Sequence, residues 1–200
     1  MRDADDLLLD RFATACSGFG DRLGLVTPGQ WEWPTPCSEW TVHQLVNHMT
    51  RGNLNYALLA RGGTGEQFLA LRDQDALGTD AVRAFGRSVA QCLDAFREPG
   101  ALGRAMDYPL GAAPGRQLLA IRLTDTVVHS WDLARAAGSG EDLDPFLTGW
   151  ILSNLEWIYR GIADSPIAVA SSHRFFAAPT DTLPSTGSAQ DRLLHLMGRI

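Results

Sequence analysis

The chain has 200 residues, 45% of them hydrophobic and 20% charged, with a formal net charge of −6. A chain of this length buries a sizeable core without disulfides or metals, this acidity argues against a phosphate-backbone grip on nucleic acid, and no apolar run approaches the roughly 18–20 residues of a membrane span. All 17 basic residues are arginine, so a Schiff-base lysine, a catalytic lysine and a phosphate-loop lysine are excluded.

The N-terminal residues are acidic and lack the basic stretch and apolar run of a secretory leader. Three widely spaced cysteines, Cys16, Cys37 and Cys92, form no CxxC pair. An odd count of this kind reads as reduced thiols and predicts a cytoplasmic protein without a cysteine zinc site. One domain over 1–200 is expected.

Glycine and proline divide the chain into helical blocks. Leu8, Phe12, Ala15, Phe19 and Leu23 recur at helical spacing and predict a helix over 4–26. Thr27-Pro28-Gly29 ends it, and the following loop with Trp31, Trp33, Pro34 and Pro36 is too proline-rich for helix. Thr41 and Gln44 have the form of a capping box opening a helix over 41–61, with Val42, Leu45, Val46 and Met49 as its apolar face. Gly62-Gly63 closes it. A third helix is predicted over 79–97 on the stripe Val82, Phe85, Val89, Leu93 and Phe96. A fourth, over 115–137, is apolar around most of its circumference and is expected to be buried on several sides, with Gly138 as its cap. Asp144-Pro145 opens a fifth over 145–162, with Phe146, Leu147, Trp150 and Ile151 in its apolar set. Short extended segments are expected at 167–170 and 175–177, then a short helix over 189–197. The fold class is all-α: a four-helix bundle with an extra short helix and minor β structure near the C-terminus.

Two of the five histidines, His48 and His129, lie mid-helix among apolar residues. Asp125 precedes His129 by four positions, so their side chains share one helix face. A carboxylate and an imidazole so placed, joined by a histidine from a facing helix, make a three-ligand site with open positions for water or substrate. The same pattern serves as an intrahelical ion pair beside a satisfied core histidine. Asp132 offers His129 another partner, or orients its ring from behind. His43 lies about 140° round the helix from His48 and points away from it; His173 and His195 read as surface or loop residues.

Pro36-Cys37-Ser38-Glu39-Trp40-Thr41-Val42, continuing to Leu45-Val46-Asn47-His48, resembles the second-helix signature of DinB-like proteins. More narrowly it is similar to the mycothiol-dependent maleylpyruvate isomerase branch. Tyr108-Pro109-Leu110-Gly111, followed by Asp125 and then His129-Ser130-Trp131-Asp132-Leu133-Ala134, resembles that branch's metal-helix signature. The ending Asp191-Arg192-Leu193-Leu194, with Gly198-Arg199, is similar to the actinobacterial subgroup.

The resemblance implies a DinB four-helix bundle holding one divalent metal, zinc or else nickel, on His48, Asp125 and His129. It implies mycothiol as a thiol cofactor, and a metal-bound thiolate attacking a small electrophile in an S-transferase or isomerase. In two respects the chain departs from the isomerase. Asp125 stands where that enzyme has glutamate, and fewer than forty residues follow the fifth block, so most of an additional C-terminal domain is expected to be missing. Both departures point away from maleylpyruvate itself as the substrate.

Spacing places Arg122 on the Asp125 stripe, where its planar fork would grip a substrate carboxylate or pair with a buried acid. Gln44, Gly52 and Asn55 fall on the His48 side of their helix, with Gly52 leaving room for a ligand or for close helix packing. Trp40 and Trp131 read as packing residues. Cys37 reads as an inert thiol, since no histidine or arginine adjoins it in sequence. Two readings stand beside the thiol enzyme: a metal-dependent biosynthetic enzyme using no thiol (rearrangement, cyclisation or hydrolysis), and a non-catalytic metal-binding bundle. Spare apolar faces allow a homodimer.

Overall fold

The computed structural model describes residues 4–38, 40–162 and 187–199. Seven α-helices are present among them: α1 (Ala4–Leu23), α2 (Val42–Ala60), α3 (Gly65–Leu71), α4 (Ala81–Arg97), α5 (Gly115–Ala137), α6 (Pro145–Ile158) and α7 (Ala189–Leu196). Helices α1, α2, α4 and α5 form the bundle: α1 packs on α5 and α4, and α2 on α4 and α5. Helix α6 lies against α5 and packs with α7. No helix of the described residues is long and apolar enough to cross a membrane.

The expected stripe of α1 is buried at Leu8, Phe12, Ala15, Phe19 and Leu23. Helix α2 starts where its capping box places it. The Gln44 amide donates to Thr41 Oγ1 at 3.3 Å, and the Thr41 amide donates to Gln44 Oε1 at 2.8 Å. Helix α5 is the central element, with 19 of its 23 residues buried. Its polar residues must therefore find partners inside the protein. Thr124, Thr126 and Ser130 each donate their hydroxyl to the carbonyl four residues back within the helix. The helix ends at Gly138, whose φ of 70° is a left-handed conformation open to glycine at little cost.

Several expectations change. Helix α3 lies between the helices expected over 41–61 and 79–97, just after the Gly62-Gly63 break. Its signal was present: Thr64 and Gln67 form another capping box, closed by bonds of 3.2 and 2.9 Å. Among the described residues the minor β structure lies mid-chain. Strands β1 (Ala105–Met106) and β2 (Ala113–Pro114) pair antiparallel around the Tyr108-to-Gly111 turn and lead into α5. The segments expected at 167–170 and 175–177 fall outside the described residues. Helix α6 stops at Ile158, four residues short of the predicted end. Val82 and Phe146, assigned to apolar stripes, are exposed; each sits in the first turn of its helix, where periodicity alone does not ensure a neighbour.

Candidate metal centre

The site lies on the seam between α2 and α5. Helix α2 supplies His48 from its second turn, and α5 supplies Asp125 and His129 one turn apart. His48 Nε2 stands 3.3 Å from Asp125 Oδ2, and His129 Nε2 stands 3.1 Å from Asp125 Oδ1. One donor atom from each of the three lies within 4.8 Å of the others. The two imidazole rings meet edge to face, 5.1 Å apart. Two ring nitrogens and a carboxylate oxygen are a donor set suited to zinc or nickel. Among the described residues the group holds three side chains and no fourth.

Each donor is fixed from behind. His129 Nδ1 lies 2.8 Å from Asp132 Oδ2, so Nδ1–H donates to that carboxylate and Nε2 faces the centre. Asp132 is itself held by Arg199, from Nε at 2.8 Å and Nη2 at 2.9 Å. Arg122 Nη1 pairs with Asp125 Oδ2, Nη2 donates to the Met49 carbonyl, and Nε donates to Asn53 Oδ1 at 2.8 Å. Asn53 in turn donates to Ser88 Oγ at 3.1 Å, which ties the network to α4. Trp40, just before α2, lies over both histidines, 4.6 Å from the His48 ring and 5.7 Å from the His129 ring.

Burial opposes charge throughout this seam, yet neighbours overcome it at three groups. Asp125 would be raised by burial, but His129 and His48 hold it well below the usual carboxylate range. His129 would be lowered by burial, but Asp125, Cys37 and Asp132 hold it well above the ordinary 6.5. Asp132 is likewise kept low by His129 and Arg199 against its own burial. His48 goes the other way: burial lowers it, and Asp125 only partly offsets this. Its side chain is 26% exposed, against 1% for His129, so the centre opens on the His48 side.

A narrow cavity of about 60 Å³ adjoins that opening, lined by His48, Arg51, Asn55, Arg122, Asp125 and Tyr159 among others. Asn55 is buried and donates to the Phe68 carbonyl, while its Oδ1 has no partner among the described residues. Of the four residues nominated for substrate, Asn55, Gly52 and Arg122 line this cavity and Gln44 does not. Gln44 is exposed and engaged in capping α2, because a residue at the third helical position serves the cap before any site. The geometry assigns Arg122 to the buried acid and not to a ligand: three protein groups occupy its fork. The room at Gly52 is filled by that same guanidinium, since a Cβ there would lie 2.5 Å from Arg122 Nη1.

His43 is exposed as expected, beside Trp31. His195, expected at the surface, is buried in α7; His173 is outside the described residues. Trp40 packs as expected, but its packing surface is the pair of imidazoles of His48 and His129. The premise that isolated Cys37 fails in space: its Sγ lies 3.8 Å from His129 Nδ1 and 3.1 Å from Arg199 Nη2. Arg199 had no role assigned, and no local signal offered one, because 67 residues separate it from Asp132.

Two uncharacterized proteins of Mycobacterium tuberculosis, from two strains, are each 34% identical to this chain over 133 residues, 66% of this chain and 69% of theirs. The crystal structure of the mycothiol-dependent maleylpyruvate isomerase matches with a TM-score of 0.61 at 16% identity, over 76% of this chain and 70% of that one. A variant of that isomerase, with alanine in place of a histidine, matches with a TM-score of 0.68 at 18% identity, over 98% of this chain and 90% of that one. These two likenesses show the all-helical fold. A family model described as the mycothiol maleylpyruvate isomerase N-terminal domain matches residues 12–134, and the chain belongs to that family.

Proposed function

We propose that this chain is a metal-dependent enzyme of the thiol S-transferase or isomerase type, acting on a small electrophilic substrate. His48, Asp125 and His129 would hold one divalent ion, zinc first and nickel second. The observation that carries this reading is their convergence from two helices into a three-donor group open on one side. Three protein ligands are characteristic of catalytic metal sites, whereas structural sites are closed by four. When bound, the metal supplies the positive charge that favours thiolate over thiol, which the family name and the related isomerase suggest is mycothiol.

The remaining side chains have definite tasks. Asp132 fixes the His129 tautomer by accepting its Nδ1 proton. Arg122 balances the buried charge of Asp125 and anchors it to α2 through Asn53 and Met49. Trp40 covers one side of both imidazoles and excludes water there. The cavity admits the reacting end of a ligand rather than a whole drug-sized molecule, which would need about 300 Å³ or more. Asn55 Oδ1 offers that ligand an acceptor. Arg51 at the same cavity donates to the carbonyls of Gln74 and Asp75 and makes no ion pair among the described residues, so its positive charge suits an anionic substrate.

Elemental analysis of protein purified without chelator tests the first half of this reading. About one zinc or nickel per chain is expected, lost in His48→Ala and in His129→Ala. Absence of metal in the purified protein, with no uptake on titration, overturns it. Thiol-dependent turnover of α,β-unsaturated acids by the metal-loaded protein tests the second half. Metal-dependent turnover that ignores added thiol would replace this reading with the thiol-independent enzyme.

A further inference from the structure

We propose that Arg199 is a positioning residue that decides which side of His129 takes the metal. This rests on the proposed centre of His48, Asp125 and His129, and the experiment below separates the two ideas. The His129 ring has a donor group on each side. Nε2 faces Asp125 and His48. Nδ1 faces Asp132 and Cys37, and Cys37, His129 and Asp132 form a second group whose donor atoms also lie within 4.8 Å of one another. One imidazole serves both groups. On chemistry alone the second is the stronger trap for a soft or borderline ion, because it contains a sulfur ligand.

A guanidinium already stands in that second group. Arg199 Nε lies 2.8 Å from Asp132 Oδ1, and Nη2 lies 2.9 Å from Asp132 Oδ2 and 3.1 Å from Cys37 Sγ. Nη1 donates to the Met197 carbonyl at 3.0 Å, which fixes the fork. The side chain is 4% exposed. Arginine keeps its charge at any working pH and engages a carboxylate through two parallel bonds. It therefore supplies the positive charge that a metal would supply between Cys37 and Asp132, and repels a second cation. Held by Arg199, Asp132 stays turned on His129 Nδ1 at 2.8 Å, which leaves Nε2 as the ring nitrogen that faces Asp125 and His48. The turn after α7 thereby reaches across to α5 and sets the metal-binding face.

The test is a titration of cadmium(II) alone into the full chain, followed by the ultraviolet thiolate-to-cadmium charge-transfer band. Cys16 and Cys92 are buried, so Cys37 is the thiol within reach of solvent. The wild type is expected to bind cadmium without the band. Arg199→Met is expected to gain the band, to lose it again when Cys37→Ser is added, and to bind the original ion roughly 10- to 100-fold more weakly. Arg199→Lys keeps the charge but not the fork; it is expected to stay silent in the band and still to lose affinity, and it serves if the methionine variant does not fold. A Cys37-dependent band in the wild type overturns the proposal. So does unchanged affinity in Arg199→Lys, or a folded Arg199→Met variant without the band. His48→Ala tests the underlying centre separately: if it leaves wild-type cadmium binding unchanged, that centre fails, while the band still reports whether Arg199 shields Cys37.

Discussion

Two of the bundle's seams, α1 on α4 and α2 on α5, treat ionisable groups in opposite ways. Between α1 and α4 the contacts are apolar, with Phe19 against Phe85 at 4.8 Å between ring centroids. The titratable groups there stay neutral. Burial pushes the Cys16 thiol up to about 12, against the pull of Arg122 and Thr126, and it pushes Cys92 up as well. Between α2 and α5 the same degree of burial coexists with ions, because every charge meets a counter-charge within hydrogen-bond reach. Desolvating such groups costs several kcal/mol each, and apolar residues of similar volume often do as well or better for stability. The polar seam is therefore poorly explained as a device for stability and is better read as a site.

A paired substitution gives the sharpest separation. Phe19→Ala empties part of the apolar seam and is expected to cost about 3–5 kcal/mol while leaving metal per folded chain unchanged. Asp125→Asn is expected to cost a similar amount, about 3–5 kcal/mol, because it leaves the Arg122 guanidinium buried without its counter-charge. Unlike the first, it should abolish metal binding. Chemical denaturation beside elemental analysis reads both. If the two variants lose metal equally, or if Asp125→Asn keeps it, the distinction between the seams is wrong.

The apolar seam was legible in the sequence and much of the polar one was not. Phe12, Phe19, Phe85 and Phe96 announce themselves by spacing, since burying one helix face imposes a period. His48, Asp125 and His129 were legible because two of them share a turn and the family motif supplies the third. Their supports were harder to read. Nothing near Arg199 reveals that it meets Asp132, and nothing near Asn53 reveals that it accepts from Arg122. Such pairs are set by how helices cross, and crossing is a property of the assembled bundle. The stripe that Arg122 shares with Asp125 leaves it two roles, facing a ligand or pairing with a buried acid, both on the side toward α2. That direction was right, but α2 came close enough at Gly52 to occupy the fork.

That close approach makes a second prediction. Gly52→Ala would place a methyl against the Arg122 guanidinium and force it off Asp125 or off Met49. Overpacking of this kind costs about 1–3 kcal/mol, and the gain in helix propensity of about 1 kcal/mol offsets part of it. The net loss in stability should be small, with metal affinity falling more than stability does. Calorimetry with and without metal checks this. A variant with full affinity would mean that Arg122 is not needed to hold Asp125.

The seams also differ in how they respond to pH, by an amount smaller still. In the metal-free protein His129 keeps its proton well above 6.5, since Asp125, Cys37 and Asp132 outweigh its burial. A folded value above the unfolded one gives stability that is fully present below about 6.5 and is lost as pH rises through the folded value. His48 has the opposite sign: its lowered value gives stability present above 6.5 and lost as pH falls. A metal needs the His129 nitrogen free, so binding must release its proton. Zinc affinity is therefore expected to rise with pH through the neutral range by up to about tenfold, or 1.4 kcal/mol, per unit. Metal-free stability should decline over the same range as pH approaches the folded value of His129. Asp132→Asn removes one of the charges that retain the proton and should flatten the slope while weakening binding overall. The thiols of the apolar seam have raised values and contribute nothing to this slope near neutrality. Isothermal titration in buffers of different ionisation enthalpy counts the proton directly. Binding at pH 7 with no proton released would show that His129 is already neutral, and that the charged seam lacks the balance described here.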